Sequence, residues 1–139
     1  MVILFDQFNM PDDIYEVIFA TKQQIIVAKL LIDEMKNNQG EIGKTEMSMF
    51  ATSLHDGKLT AKLHEPGYEG KKVKLSYNKR QFYDRILTPM KGMGIIEYDL
   101  YHKRYKLSDK FNKAMVRIGI MWMQEMRRAP RNLVVRENQ

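Results

Sequence analysis

The sequence contains no cysteine, only three histidines and only four prolines. The lack of cysteine excludes disulfides, thiolate metal sites and cysteine nucleophiles, and it suits an intracellular protein. His55, His64 and His102 do not have the spacing of metal ligands, and no glycine-rich phosphate-binding motif occurs. The pairs Asp12/Asp13 and Asp33/Glu34 fit helix caps or helix surface. We therefore expect no enzyme activity, no metal and no cofactor.

Long apolar runs are also missing. No stretch approaches the roughly 18 apolar residues that a membrane span needs. The opening MVILFDQFNM is interrupted by Asp6 too early for a signal peptide. With 44% apolar and 29% charged residues, the composition is ordinary for a globular protein. We expect one cytoplasmic domain over residues 1–130 with no membrane partner, followed by a disordered tail over residues 131–139.

The charge is unevenly distributed along the chain. Its formal net charge is +6, but residues 1–57 carry four basic and nine acidic side chains, whereas residues 58–139 carry nineteen basic and eight acidic ones. A basic part therefore follows an acidic one. This asymmetry is typical of a protein that binds a polyanion, and the alternative is a solvated basic surface.

Helical periodicity dominates the first part of the chain. Pro11 before two aspartates indicates a helix start, and Thr21 with Gln24 is a capping-box pattern at which a second helix begins or the first continues. The apolar spacing is helical over residues 22–37. After a short extended link at 41–43, Thr45 is the predicted cap of a helix whose apolar residues recur at helical spacing. These residues are Met47, Phe50, Ala51 and Leu54.

Residues 58–75 predict a β-hairpin or a long ordered loop. The segment is rich in lysine, which indicates either extra phosphate contacts or a solvated loop. Its lysines are Lys58, Lys62, Lys71, Lys72 and Lys74.

The next predicted helix begins near Ser76 or Asn78, either of which can cap it. Its inward stripe is expected to contain Tyr83, with other apolar residues beside it. Pro89 interrupts the pattern, because proline removes a backbone donor and clashes with the preceding turn. We expect either a kink there, or a helix that ends at Thr88 followed by a turn to Lys91. The predicted stripe is completed by Leu87 and Met90, and Phe82 and Ile86 lie beside it.

Two strands, 95–100 and 104–107, follow around a polar turn, and alternation places Ile96, Tyr98 and Leu100 on one face. Ser108 or Asp109 caps a final helix over residues 109–128. The order is helix, link, helix, helix, hairpin, helix. It predicts a mainly α fold with a small β-hairpin, namely a winged helix-turn-helix with N- and C-terminal flanking helices.

Residues 86–111, ILTPMKGMGIIEYDLYHKRYKLSDKF, carry a family resemblance. They resemble the end of the recognition helix, the wing and the next helix start of bacterial and archaeal winged-helix regulators, of the multiple-antibiotic-resistance-regulator and phenolic-acid-decarboxylase-repressor types. The resemblance implies a transcriptional regulator. Two features depart from it, the inserted residues 58–75 and Pro89. The positions that carry it are Leu87, Met90, Gly94, Ile95, Ile96, Tyr105, Leu107 and Ser108.

A helix with one buried face and donors on the other suits the major groove of duplex DNA. The polar turn between the two strands would reach the adjacent backbone or minor groove. The alternatives are a solvated helix face and a plain polar turn, and Asp84 would repel phosphate unless it is paired. The predicted DNA-binding residues are Asn78, Lys79, Arg80, Gln81, Arg85, Thr88, His102, Lys103 and Arg104.

The final helix has a wide stripe of methionine and other apolar residues around Trp122. Such a stripe suits a subunit interface, and packing onto the protein's own core is the alternative. A homodimer would place two recognition helices one DNA turn apart. The predicted dimer interface is Phe111, Met115, Ile118, Met121, Trp122 and Met126.

The sequence thus favours a dimeric protein that binds double-stranded DNA, as a transcriptional regulator. Two further hypotheses remain open. The basic segment 58–75 also fits plasmid or viral replication, partition or DNA architecture, and the apolar stripe of the last helix also fits a winged-helix module that binds another protein.

Overall fold

A computed structural model describes residues 6–62 and 70–135. Helices alternate with short strands along the chain, in a mixed α/β domain. The helices are α1 (Ile14–Ile18), α2 (Lys22–Asn37), α3 (Lys44–His55), α4 (Lys79–Gln81), α5 (Thr88–Met93) and α6 (Lys110–Arg127). A π-helical segment, Phe82–Leu87, joins α4 to α5, and we call residues 79–93 together the basic helix. The strands are β1 (Glu41–Gly43), β2 (Leu59–Lys62), β3 (Lys72–Leu75), β4 (Ile96–Asp99) and β5 (Arg104–Leu107).

The first two helices are separate. The Asp13 side chain accepts a hydrogen bond from the Tyr15 N–H at 2.9 Å, so α1 begins at Ile14 and the prediction of a start at Pro11 is wrong. Thr21 Oγ1 accepts from the Gln24 N–H at 3.1 Å and starts α2, which confirms the predicted cap. Capping by a short oxygen-bearing side chain satisfies an N–H group that the first helical turn leaves without a partner.

The N-cap of helix α3 lies two residues before the predicted cap. Gly43 occupies the N-cap position, and its N–H donates to Glu46 Oε2 at 2.9 Å, so Thr45 lies inside the helix and the predicted cap is wrong. The predicted apolar stripe is confirmed, because its four residues are all buried. These are Met47, Phe50, Ala51 and Leu54.

A three-stranded antiparallel sheet forms in the order β1-β5-β4. The link at 41–43 is its edge strand, with Ile42 opposite Tyr105, and Tyr105 in turn lies opposite Tyr98. The expectation of one small hairpin therefore underestimated the β content. A three-residue strand is too short for alternation to indicate it, and only pairing with β5 defines it.

The segment 58–75 is a β-hairpin in its described part, since β2 and β3 pair antiparallel from Leu59 opposite Leu75 to Lys62 opposite Lys72. The rest of this prediction, residues 63–69, lies outside the described residues. We call β2 and β3 the inserted hairpin. It separates α3 from the basic helix in sequence.

The core lies between α2, α3, the basic helix and the three-stranded sheet. Phe82 is fully buried and contacts the Phe50 ring, with 5.6 Å between the ring centroids. Leu100, by contrast, is 80% exposed in the turn, so the alternation predicted to extend to it is wrong. Strand β4 ends at Asp99, because the chain turns there. The tail over residues 131–135 has no regular secondary structure, and residues 136–139 are not among those described.

Candidate nucleic-acid interface

The start of the basic helix is fixed to the end of α3. Asn78 Oδ1 accepts a hydrogen bond from the Gln81 N–H at 3.1 Å, which confirms Asn78 as a cap. The Lys79 N–H donates to His55 Nδ1 at 3.1 Å, and the N–H of buried Tyr77 donates to the Leu54 carbonyl at 2.9 Å. The direction in which the basic helix leaves the body is therefore set by α3.

The helix continues through Pro89 and does not end at Thr88. Residues Phe82–Leu87 are π-helical, and the Thr88 N–H donates to the Tyr83 carbonyl, five residues back. A π turn relieves the clash that proline would make with the carbonyl four residues before it. The wider turn also shifts the buried face. Of the predicted stripe, Leu87 and Met90 are buried and Tyr83 is half-buried, whereas the flanking residues Phe82 and Ile86 are fully buried.

The opposite side of the basic helix is exposed and polar. Arg80 Nε lies 3.8 Å from Asp84 Oδ2, and both side chains are largely exposed, so this pair is weak. Asp84 nevertheless has a cationic neighbour in Arg80. This pairing reduces the repulsion of phosphate that an unpaired Asp84 would cause. Arg85 forms no ion pair with any residue that the structure describes. The predicted residues that are exposed here are Asn78, Arg80, Gln81, Arg85 and Thr88.

Lys79 differs from these residues, because it is half-buried between the basic helix and α3. Its Nζ donates to Thr52 Oγ1 at 3.0 Å and to Ser48 Oγ at 3.5 Å. These two hydroxyls hold the ammonium group against α3. Lys79 therefore brings its charge to the junction of the two helices.

The C-terminal end of the basic helix packs against the three-stranded sheet. Lys91 Nζ lies 5.7 Å from the centre of the Tyr98 ring and 5.9 Å from that of Tyr105. The two rings contact each other, with centroids 4.6 Å apart. Burial raises the pKa of the Tyr105 hydroxyl, with smaller contributions from Tyr83 and Tyr98. Cation–π contacts of this kind hold the helix end and the strands together.

The turn between β4 and β5, residues 100–103, is organised by Asp99. Asp99 Oδ1 accepts hydrogen bonds from the N–H groups of Tyr101, at 3.0 Å, and His102, at 3.1 Å. Asp99 Oδ2 lies 2.7 Å from Nδ1 of the His102 ring. This side-chain hydrogen bond lowers the pKa of Asp99 to about 2, with the His102 N–H contributing. The side chains of Tyr101, His102 and Lys103 remain exposed.

Arg104 lies on the sheet and not at the tip of the turn. Its Nε donates to Glu41 Oε1 at 3.1 Å, across the pair β1–β5. Lys106 lies near both carboxylates of this face, with Nζ 3.6 Å from Asp99 Oδ2 and 4.0 Å from Glu41 Oε2. Of the predicted turn residues, Arg104 is thus the one that the structure separates from the tip.

Lys44 is a candidate that the sequence pattern did not reveal. It is the first residue of α3, it is exposed, and its N–H donates to the Lys103 carbonyl at 3.0 Å. Lys103 itself has a φ of 53°, which turns its carbonyl toward α3. A basic residue at a helix start was visible in the sequence, but its proximity to the turn depends on the pairing of β1 with β5.

The first turn of α6 attaches the helix to the rest of the domain. The Phe111 N–H donates to the Gly94 carbonyl at 3.1 Å, and Lys110 Nζ lies 2.8 Å from Glu97 Oε2. No residue of α6 is buried, and Phe111 is half-buried. Packing of the stripe onto the protein's own core is therefore not observed. Its exposed members among the predicted interface residues are Met115, Ile118, Met121, Trp122 and Met126.

In the parts of the chain that the structure describes, no helix is long and apolar enough to cross a membrane. Comparison of the chain with protein-family models, with curated proteins and with solved structures gave no match.

Proposed function

We propose that this chain is a winged-helix protein that binds duplex DNA as a homodimer and acts as a transcriptional regulator. The order of elements supports the assignment: α2, β1, α3, the basic helix, and then β4 and β5 joined by an exposed turn. In this proposal the basic helix is the recognition helix and the 100–103 turn is the wing tip. The inserted hairpin and the π segment distinguish the chain from the simplest form of the fold.

One observation carries the proposal: a single face of α3 links the wing tip to the start of the basic helix. Lys44, Ser48 and Thr52 recur every four residues and so share one helix face. At one end, the backbone N–H of Lys44 donates a hydrogen bond to the carbonyl of Lys103 in the wing. At the other end, Thr52 Oγ1 accepts a hydrogen bond from Lys79 Nζ of the basic helix. The α3 face, the start of the basic helix and the wing tip are therefore joined by hydrogen bonds, and together they are the proposed DNA-binding surface.

This surface has the chemistry that duplex DNA requires. An α-helix fits the major groove, where Arg and Gln side chains can read base edges, and Arg85 and Gln81 are exposed for that role. Lys44, Lys103 and the hydroxyls of α3 would hold phosphates, which positions the protein without reading sequence. His102 and Tyr101 at the wing tip would contact the adjacent backbone or minor groove.

Helix α6 supports the homodimer. Eight of its large apolar side chains are between 45% and 63% exposed, including Trp122 at 63%. The stripe runs toward an apolar cleft of about 410 Å³ that α1 and Phe111 line. A stable dimer buries roughly 800 Å² on each partner, and α6 has 18 residues along which exposed apolar side chains could contact a second copy. A second copy of α6 would cover this stripe.

The test is binding to duplex DNA as a function of salt. Each neutralised phosphate contributes about 0.9 to the slope of log affinity against log salt, so a surface with several basic contacts gives a slope of several units. Arg85→Ala should weaken binding, while Lys36→Gln, in the last turn of α2 and outside the proposed surface, should leave it unchanged. Salt-independent behaviour, or no binding to any duplex, would refute the proposal.

A protein-interaction module is the second candidate function, and the exposure of α6 favours it, because a large apolar patch marks a partner site. In that case the chain would co-purify with a different protein in fixed stoichiometry and would not bind duplex DNA. A symmetric dimer that binds DNA would exclude this candidate.

A further inference from the structure

The inserted hairpin has two chemically different faces. Its register places Leu59 opposite Leu75 on the half-buried face, and Lys62 opposite Lys72 on the exposed face. Lys74 is also exposed, opposite Thr60. The alternation of side chains across a strand therefore separates an apolar face from a lysine face. We call Lys62, Lys72 and Lys74 the lysine face.

The apolar face fixes the inserted hairpin beside the start of the basic helix. Leu59 and Leu75 pack against the buried core, and β3 ends just before the cap residue Asn78. Gln23 Nε2, at the start of α2, donates to the Ser76 carbonyl at 3.3 Å. The lysine face therefore points away from the body, next to the end at which the basic helix would enter a groove.

The lysine face carries positive charge that no carboxylate among the described residues neutralises. Like charges directly opposite each other on neighbouring strands destabilise a sheet, and Lys62 and Lys72 are such a pair. None of the three lysines forms an ion pair with a residue in the ranges 6–62 and 70–135. An external polyanion would remove the repulsion and supply the missing counter-charge.

We propose, on the basis of the proposed function, that the lysine face binds backbone phosphates of the same DNA duplex and acts as a second wing. Lys72 and Lys74 are two residues apart, about 6.8 Å along the strand. The phosphates of one DNA strand recur about every 3.4 Å of helix axis, so the two ammonium groups are far enough apart to contact separate phosphates. Lysine holds phosphate as a point charge, so the second wing increases affinity and footprint without reading sequence.

The experiment compares two triple variants that differ in charge. Lys62→Gln with Lys72→Gln and Lys74→Gln removes the charge, while arginine at the same three positions retains it. Binding to a mixed-sequence duplex of about three helical turns is measured by fluorescence anisotropy between about 50 and 200 mM salt. The glutamine variant should lower the salt slope by roughly 2 to 3, and the arginine variant should keep it. Hydroxyl-radical footprinting should show protection lost at two positions related by the two-fold axis of the proposed dimer, one for each protomer.

The outcomes separate this inference from the proposed function. An unchanged slope and footprint in the glutamine variant, with Arg85→Ala still weakening binding, would overturn the second wing alone. In that case, the role of the lysines would be to prevent the two exposed strand edges from pairing with another chain. Failure of the wild-type protein to bind any duplex would overturn the proposed function and the second wing together.

A matched pair of single variants covers the case in which the triple glutamine variant does not fold. Lys72→Gln and Lys36→Gln each remove one exposed lysine, and only the first lies on the lysine face. Lys72→Gln should lower the salt slope by about 0.9, and Lys36→Gln should not change it. Equal slopes for the two variants would contradict the second wing.

Discussion

The N–H of Lys44 donates a hydrogen bond to the carbonyl of Lys103, at 3.0 Å. Lys44 begins α3 and Lys103 closes the turn between β4 and β5, so the bond joins two elements that are distant in sequence. It holds the exposed turn at one end of the α3 face whose other end contacts Lys79. The proposed wing and recognition helix therefore keep a fixed separation, which a two-part contact with DNA requires.

Arg85→Ala is expected to weaken binding to duplex DNA about 5- to 150-fold, since a well-placed arginine contact contributes about 1–3 kcal/mol. Arg85 is exposed and forms no ion pair with a described residue, so its loss should not affect folding. Affinity measured by anisotropy at fixed salt, with the thermal midpoint as a check on folding, tests this.

Asp84→Asn is the control, because it is expected to change the affinity for DNA in the opposite direction to Arg85→Ala. Removing this anion from the exposed face should strengthen binding, because it frees Arg80 and reduces repulsion of phosphate. If both variants change affinity in the same direction, or if neither changes it, the exposed face of the basic helix is not the contact surface.

The sequence predicted the helices well where periodicity is long. Helix α2 has the bounds that its apolar spacing indicates, and Thr21 caps it. The strand β1 was interpreted as a link, because three residues carry no usable period and their pairing with β5 spans some sixty positions. Pairing between strands that are distant in sequence is decided by packing, and a local sequence pattern carries no information about that packing.

The candidate site could be predicted only in part, because some of its contacts also depend on long-range pairing. Exposure of Arg80, Gln81 and Arg85 follows from helical periodicity, even though the π segment moved the buried face toward Phe82. The engagement of Arg104 by Glu41 depends on the β1–β5 register. Because that register was not visible in the sequence, Arg104 was predicted to contact DNA together with the neighbouring turn residues.

Gly94→Ala is expected to destabilise the protein by about 2 kcal/mol or more. Gly94 has a φ of 83°, and an added Cβ would lie 2.9 Å from Lys110 Cβ and 3.0 Å from the Phe111 nitrogen. The substitution would therefore strain the backbone and push α6 away from the body. Chemical denaturation measured by circular dichroism gives the change in free energy of unfolding.

Gly92→Ala is the matched control two residues earlier. Gly92 is helical, and nothing lies within 4 Å of a Cβ added there. Alanine should therefore stabilise the helix by about 0.5–1 kcal/mol. Equal effects of the two substitutions would show that the left-handed conformation at Gly94 is not required.

The carboxyl group of Asp99 is expected to titrate near pH 2. Its pKa is lowered from 3.8 to about 2, mainly by the hydrogen bond to the His102 side chain. Because the pKa is lower in the folded protein, this carboxylate stabilises the fold above pH 3.8, and that contribution is lost as the pH falls toward 2. NMR titration of the Asp99 carboxyl carbon measures the midpoint directly.

His102→Ala should raise this midpoint toward 3.8, since it removes the largest cause of the shift. Asp99→Asn should show a smaller loss of stability between pH 4 and pH 2 than the wild-type protein, because the group that takes up a proton is gone. An Asp99 midpoint near 3.8 in the wild-type protein would contradict the observed turn geometry.

Trp122→Glu is expected to convert a dimer into a monomer. Trp122 is 63% exposed and lies on the stripe of α6, so the substitution removes apolar contact with a second copy and places a charge in the interface. A loss of about 2 kcal/mol would raise the dimer dissociation constant roughly 30-fold. The thermal midpoint of the protomer should change little, because the side chain is not part of the core. Sedimentation velocity at several concentrations measures the oligomeric state.

Leu133→Glu is the control for adding the same charge at an exposed apolar residue. Leu133 is 81% exposed and lies beyond the end of α6, so its substitution should leave the dimer intact. Monomeric Trp122→Glu should also bind DNA more weakly, because a dimer contacts two half-sites with one binding event. Two results would rule out α6 as the subunit interface: a wild-type protein that is monomeric at every concentration, or a Trp122→Glu variant that stays dimeric. Neither result would decide whether the basic helix contacts DNA, because Arg85→Ala tests that separately.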